Sequence, residues 1–202
     1  YLINIKDVFK RLLYYIMRKI LEKITTLISI IFNNKILRKP DFSEKKIFLT
    51  GKLLADRNEK KIKINSLKDV EFSVFSQFGE DGIINWLTHQ IPNIKKIFLE
   101  IGTQDYWESN TRFLLKSKLW KGYIIEGSKE DVDRIKSQRI YWQNDITAIN
   151  KFINLENVTE VINKEIKQKH IGLFSLDIDG NDYWILKKIN LNADIIVTEY
   201  NP

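Results

Sequence analysis

An α/β fold built on a parallel sheet, with an amphipathic helix ahead of it, is what this sequence predicts. Three observations carry the prediction. Short, nearly continuous apolar runs recur at 96–102, 122–127, 171–179 and 194–201, with a fifth strand candidate at 139–143. Stretches with apolar residues every three or four positions separate them. Turn residues such as Gly102 and Gly127 follow the runs. Strands that are apolar throughout, rather than at alternate positions, are covered on both faces, which is the condition of a parallel sheet between helix layers.

The elements follow in order. Residues 1–32 read as one amphipathic helix, with Leu2, Ile5, Phe9, Leu12, Ile16, Ile20, Ile24, Leu27 and Ile31 on one stripe. Its other face carries Lys6, Lys10, Arg11, Arg18, Lys19 and Lys23 against Asp7 and Glu22. A spanning helix needs roughly 20 apolar residues in a row; charges interrupt this one until Lys23. Two main readings stay open: packing on the domain or on a second copy (helix-mediated self-association), or peripheral contact with anionic lipid. Residues 33–71 read as a linker around Pro40 with a short helix at 48–56. From Phe72 the domain begins. A helix after Gly79 turns Ile83, Ile84 and Leu87 inward, and Ser109, Asn110 and Thr111 form an N-cap cluster for a second helix. The segment 130–137 carries Val132 and Ile135 inward, 149–168 is mostly helical, and 182–189 is the last helix.

Composition narrows the function. The 44% hydrophobic and 12% aromatic content is enough for a buried core. The absence of Cys excludes disulfides and thiolate metal sites and suits a cytoplasmic protein, peripheral at the inner membrane face if the first helix lies on lipid. The net charge of +7 is spread through Lys-rich text with no basic stripe interleaved with aromatics, so nucleic acid is not an expected partner.

Ligands of open parallel sheets bind beyond the carboxyl ends of the strands. The first strand ends on Glu100, Ile101 and Gly102; the second ends on Glu126 and Gly127, with Glu126 twenty-four residues after that glycine. A carboxylate at this distance is where a Rossmann-type site holds ribose hydroxyls, although both acids also suit turn capping. The loop from Thr103 to Glu108 lacks the further glycines of a diphosphate loop and adds Asp105 and Glu108, which repel a diphosphate. A phosphate-free adenosine ligand with cationic groups, such as S-adenosylmethionine, fits that loop better.

Specific strings go further. Ser76-Gln77-Phe78-Gly79-Glu80-Asp81-Gly82, Phe98-Leu99-Glu100-Ile101-Gly102, Glu108-Ser109-Asn110-Thr111-Arg112, Ile124-Ile125-Glu126-Gly127-Ser128 and Ser175-Leu176-Asp177-Ile178-Asp179-Gly180-Asn181-Asp182-Tyr183-Trp184 together resemble FkbM-type methyltransferases. The resemblance covers residues 72–201. It implies a Rossmann-like class I methyltransferase sheet of seven strands, S-adenosylmethionine as cofactor, and a sugar or glycan-related acceptor in surface polysaccharide biosynthesis. It also implies cofactor contacts from Glu100, Gly102, Thr103, Glu126, Gly127 and Asp177, with Asn144 and Asp145 flanking adenine after the third strand. Five of the seven strands are present, so the resemblance implies a chain cut short: a fifth strand left as an exposed edge or covered by the first helix, poor solubility, and no activity.

The acids after the fourth strand admit several readings. Asp177 satisfies backbone groups and Asp182 caps the next helix; or Asp179, with Asp177, serves as catalytic base; or Asp179, Glu199 and Asn201 hold Mg²⁺ through oxygen ligands. Asp177-Ile178-Asp179 also matches the metal motif of nucleotide-sugar glycosyltransferases, an alternative activity, and a non-catalytic binding protein on the same fold is a third class. Tyr106 and Trp107 either pack or cover the bound donor, and His89 and His170 are expected at helix ends.

Overall fold

The computed structural model describes Met17, Lys19, Lys23 and residues 42–178 and 180–199. The chain divides into two compact units, residues 1–45 and 46–202. In the first, Met17, Lys19 and Lys23 are helical and exposed, in keeping with the expected helix; the rest of that expectation lies outside the described residues. Among the described residues no helix is long and apolar enough to cross a membrane.

The second unit is Rossmann-like. Five strands, β1 (Ile97–Ile101), β2 (Lys121–Glu126), β3 (Ile146–Asn150), β4 (His170–Leu176) and β5 (Asn192–Thr198), form one parallel sheet in the order β3-β2-β1-β4-β5. The described helices are α1 (Phe42–Glu59), α2 (Glu80–Gln90), α3 (Arg112–Lys118), α4 (Lys129–Ser137), α5 (Arg139–Gln143), α6 (Val158–Glu165) and α7 (Asp182–Lys188).

Burial along the strands explains the sequence pattern. The central strands β1 and β4 are buried at every position after the first, because helices cover both faces. On one face Phe98, Ile124 and Leu173 meet Ile84 of α2, Leu114 and Leu115 of α3, Val132 and Ile135 of α4 and Ile140 of α5. On the other, Leu99, Ile125, Phe174 and Leu176 meet Val158 and Ile162 of α6 and Ile185 of α7. The edges alternate instead: β3 buries Ile146 and Ala148 and exposes Thr147. Along β5, Ile195 is buried while Ile196 is 49% exposed. Among the described strands β5 is an edge; the first helix, which the other reading lays over it, lies for the most part outside the described residues.

Two stretches depart from the sequence reading. Residues 139–143 form helix α5, not a strand: Ile140 is buried and Trp142, two residues on, is exposed, which a strand face does not allow. The true third strand is β3, so the segment from 149 is not mostly helical until α6 begins. Helix α1 is longer than the short helix expected at 48–56 and takes in the end of the expected linker. Its anchors are aromatic. Phe48 and Phe72 each pack edge-on against Phe113 at 6.0 and 5.2 Å, beside Phe75 and Ala55. Gly82 lets α2 close onto this segment, since a side chain there would strike the Val70 carbonyl at 2.2 Å.

The chain runs outward from β1 to β3, then crosses back to β4 and β5 on the other side. The switch point lies between β1 and β4, at their carboxyl ends.

Candidate functional site

At that switch point the exits of β1 and β4 nearly touch. Gly102 adopts φ +80°, and a Cβ there would sit 1.7 Å from the Asp177 carbonyl oxygen. Only glycine fits such an approach in that conformation. An open cleft of about 860 Å³ spreads over the carboxyl ends of the strands. Its walls come from the β1 exit (Gly102, Gln104), the β2 exit (Glu126, Gly127) and residues 151–156 after β3. Asp177 and Ile178 after β4, Asn181 just ahead of α7, Ile185 within it, and Glu199 after β5 close the other side.

Glu126 ends β2 and is half-buried in this cleft. Its Oε2 accepts the main-chain N–H groups of Thr103 (3.1 Å) and Gln104 (2.9 Å), and its Oε1 accepts that of Ser128 (2.8 Å). Thr103 is itself buried, so its contribution is this amide. Asn150 donates its side-chain amide to the carbonyls of Glu126 and Gly127 at 3.1 and 2.9 Å, which fixes the backbone carrying the carboxylate. Phe152 is 75% exposed and lies over Gly127; a Cβ on that glycine would meet the phenyl ring at 3.0 Å.

Glu100 has a different environment. It is 3% exposed and does not line the cleft. The hydroxyls of Ser109 (2.7 Å) and Thr111 and the N–H of Asn110 (3.0 Å) donate to its carboxylate. The cap cluster read at 109–111 therefore spends its hydroxyls on Glu100, and α3 has no side-chain N-cap bond. Burial pushes the Glu100 carboxyl above its ordinary range, against the lowering effect of Thr111 and Ser109. Tyr106 is fully buried, with φ +63° and its hydroxyl 2.9 Å from that of Thr111. Burial, helped by the Glu100 charge, pushes the phenol far above its usual value. Trp107 stacks on the buried Arg112 guanidinium at 4.5 Å. Neither aromatic lines the cleft, and the packing reading of this pair holds.

Asn144 and Asp145 need correction. With β3 at Ile146–Asn150, both precede the strand and lie at the amino end of the sheet, opposite the cleft. The Asp145 carbonyl accepts the Gly122 N–H and its carboxylate pairs with Lys121 at 3.4 Å, where β2 begins. The wall after β3 is built by residues 151–156 instead. His170 opens β4 beside Asp194 of β5 at 2.8 Å, not at a helix end, whereas His89 does sit in the last turn of α2.

Beyond β4, Asp182 is buried and its carboxylate accepts the N–H groups of Ile178 (3.0 Å) and Gly180 (3.1 Å). It ties down the turn ahead of α7 and does not cap that helix: the N-cap position is Asn181, and no side chain bonds the first-turn N–H groups there. Asp177 is exposed and faces the cleft, as does Glu199. Asp179 and Asn201 lie outside the described residues; among those described, no cluster of three or more His, Asp or Glu suits a metal ion.

Sequence reasoning missed Gln77, which reaches the cleft from the loop ahead of α2. Asp81 holds that loop. It is buried, and one of its oxygens accepts the N–H groups of Val74 (2.7 Å), Phe75 (2.6 Å) and Ser76 (3.0 Å). A polar run before a helix, with an acid at the second helical position, was the available signal.

The described acids lining the cleft are Glu108, Glu126, Glu156, Asp177 and Glu199, against Lys151 alone among the bases. Among the described residues the walls of the cleft are thus acidic, in a chain of net charge +7. No protein-family model matches this chain, and no curated protein matches it.

Proposed function

We propose that the cleft binds S-adenosylmethionine and that the protein transfers its methyl group to an oxygen of a small acceptor, a sugar or glycan-related molecule by the FkbM-type resemblance. The observation that carries the reading is the charge of the cleft's described walls, where five carboxylates face one lysine. A ligand with a sulfonium and an ammonium and no phosphate is matched to that field; a nucleotide diphosphate is opposed by it.

When bound, the cofactor supplies an electrophilic methyl group on sulfur. The chain's residues hold it and handle the proton. A carboxylate offers about four lone-pair directions; three of those on Glu126 are taken by main-chain N–H groups. One acceptor direction therefore remains for a ribose hydroxyl. Phe152, exposed on the wall after β3, offers a face for the adenine, the part that Asn144 and Asp145 cannot take from the far end of the sheet. Asp177, beside Gly102 at the switch point, is positioned to accept the proton that an acceptor hydroxyl loses as its oxygen takes the methyl carbon.

Calorimetric titration tests the reading. S-adenosylmethionine should bind, and a UDP-sugar with Mn²⁺ should not. Glu126→Gln should weaken S-adenosylmethionine by about 1–2 kcal/mol, the worth of one hydrogen bond to a charged group. Binding of the UDP-sugar with no heat from S-adenosylmethionine would overturn methyl transfer in favour of glycosyl transfer.

A further inference from the structure

We propose that Glu126 is a specificity-determining residue of the cleft: its carboxylate fills a main-chain anion site and so turns phosphate-bearing ligands away. Gly102 at φ +80° and Gln104 at φ +48° bend the β1 exit until two successive N–H groups, of Thr103 and Gln104, aim at one point. Consecutive amides converging in this way make an anion-binding concavity. The Ser128 N–H, at the start of α4, adds a third donor from the β2 side. In a dinucleotide site such amides face a pyrophosphate. Here the anion is internal: Glu126 Oε2 lies 3.1 and 2.9 Å from the two loop nitrogens and Oε1 lies 2.8 Å from Ser128 N.

Two consequences follow from charge. The donors a phosphate needs are already satisfied, and a phosphate that approached them would meet a fixed carboxylate at contact distance, where like-charge repulsion is strongest. Asp177 and Glu108 on the same cleft add to the repulsion. Gln104 itself is left-handed, which is uncommon for a residue with a side chain and turns the chain away just after the second amide. The Glu100 carboxylate, the second anchor of the same loop, stays in place when the Glu126 carboxylate is removed.

The inference deepens the adenosine-ligand reading but is testable apart from it. Adenosine, ADP and inorganic pyrophosphate are titrated into wild type, Glu126→Ala and Glu126→Gln in metal-free buffer at low salt. Wild type should prefer adenosine to ADP and give no saturable pyrophosphate binding. Glu126→Ala should bind pyrophosphate at least about tenfold more tightly than wild type, with the gain shrinking as salt is raised. Glu126→Gln keeps an oxygen for the loop amides without the charge, and should move the same way by less. Should Glu126→Ala fail to fold, the Gln variant alone decides. Wild type binding ADP as tightly as adenosine overturns the proposal, and so do folded variants that bind pyrophosphate no better than wild type. Wild type that ignores adenosine removes the cofactor reading, while the pyrophosphate comparison still decides this one.

Discussion

The exits of β1 and β2 look alike on paper and behave differently in the fold. Each has a glutamate near its end, and each glutamate accepts hydrogen bonds from three groups of the chain. Glu100 faces inward, buried among its donors Ser109, Asn110 and Thr111. Glu126, one strand nearer the edge, faces the cleft and keeps an acceptor direction for a ligand. The loop between Gly102 and Thr111 is therefore held from both sides, by a buried carboxylate at its far end and a cleft carboxylate at its near end. Burial, not residue type, separates the sealed anchor from the carboxylate that opens on the cleft.

The comparison breaks most directly by truncation. Glu100→Ala leaves two hydroxyls and an amide without their acceptor in a dry site, so urea unfolding should show a loss of roughly 4 kcal/mol. Glu126→Ala frees amides that water can reach, and should lose about 1 kcal/mol of stability. Equal losses would erase the distinction between the two exits. Next comes Gly102→Ala, whose Cβ would fall 1.7 Å from the Asp177 carbonyl at φ +80°. Roughly 3 kcal/mol of stability should go with it, from backbone strain plus the forced parting of the two strand exits. A fully stable Gly102→Ala would show that β1 and β4 can separate there at little cost.

A pH series sharpens the comparison further. Burial holds the Glu100 carboxyl above its ordinary value of 4.5. A carboxyl whose pKa is higher in the folded state contributes stability that is complete below the unfolded value and is lost as pH rises through the folded one. The stability gap between wild type and Glu100→Gln should therefore narrow as pH is raised from the acid side, measured by urea unfolding at each pH. A gap that widens with pH would mean the hydrogen bonds outweigh burial.

The smallest effect lies away from the cleft, where α1 meets α2 and α3. Burial acts to raise the Glu59 carboxyl, but hydrogen bonds from Lys118 and Asn85 and the charges of Lys118 and His89 outweigh it and hold it below 4.5. Its contribution is present above that ordinary value and is lost as pH falls through the lowered one. Glu59→Gln should cost about 1 kcal/mol near neutrality, since Lys118 is a third exposed, and should flatten the acid limb of the stability profile. An unchanged acid limb would assign that limb to other carboxylates.

Much of the fold was legible because strands buried on both faces must be apolar throughout. The runs containing Ile97–Ile101, Lys121–Glu126 and His170–Leu176 are short, and the first two end at a glycine, which favours buried strands over helices; the parallel sheet follows from them. The third strand is hard to place from sequence because residues 139–143 are rich in strand-forming types yet fold as helix α5. The period was there to see: Ile146 and Ala148 alternate with polar or less buried neighbours, as an edge strand requires. Taking 139–143 as the strand puts Asn144 and Asp145 at the wrong end of the sheet. Glu126 and Gly102 were found because their spacing reflects a strand–helix–strand unit of fixed length.

By itself, then, the sequence determined the layers, the central strands and which strand ends carry acids, because periodicity and local turn chemistry are written residue by residue. Only the tertiary structure decided that Glu100 is sealed beneath Ser109 and Thr111 while Glu126 opens on the cleft. It also turned Tyr106 and Trp107 into packing around Arg112, and brought Gln77 and residues 151–156 together as walls of one acidic pocket. The physical reason is that burial and electrostatic field belong to a point in space filled from many parts of the chain, and no window of sequence contains them.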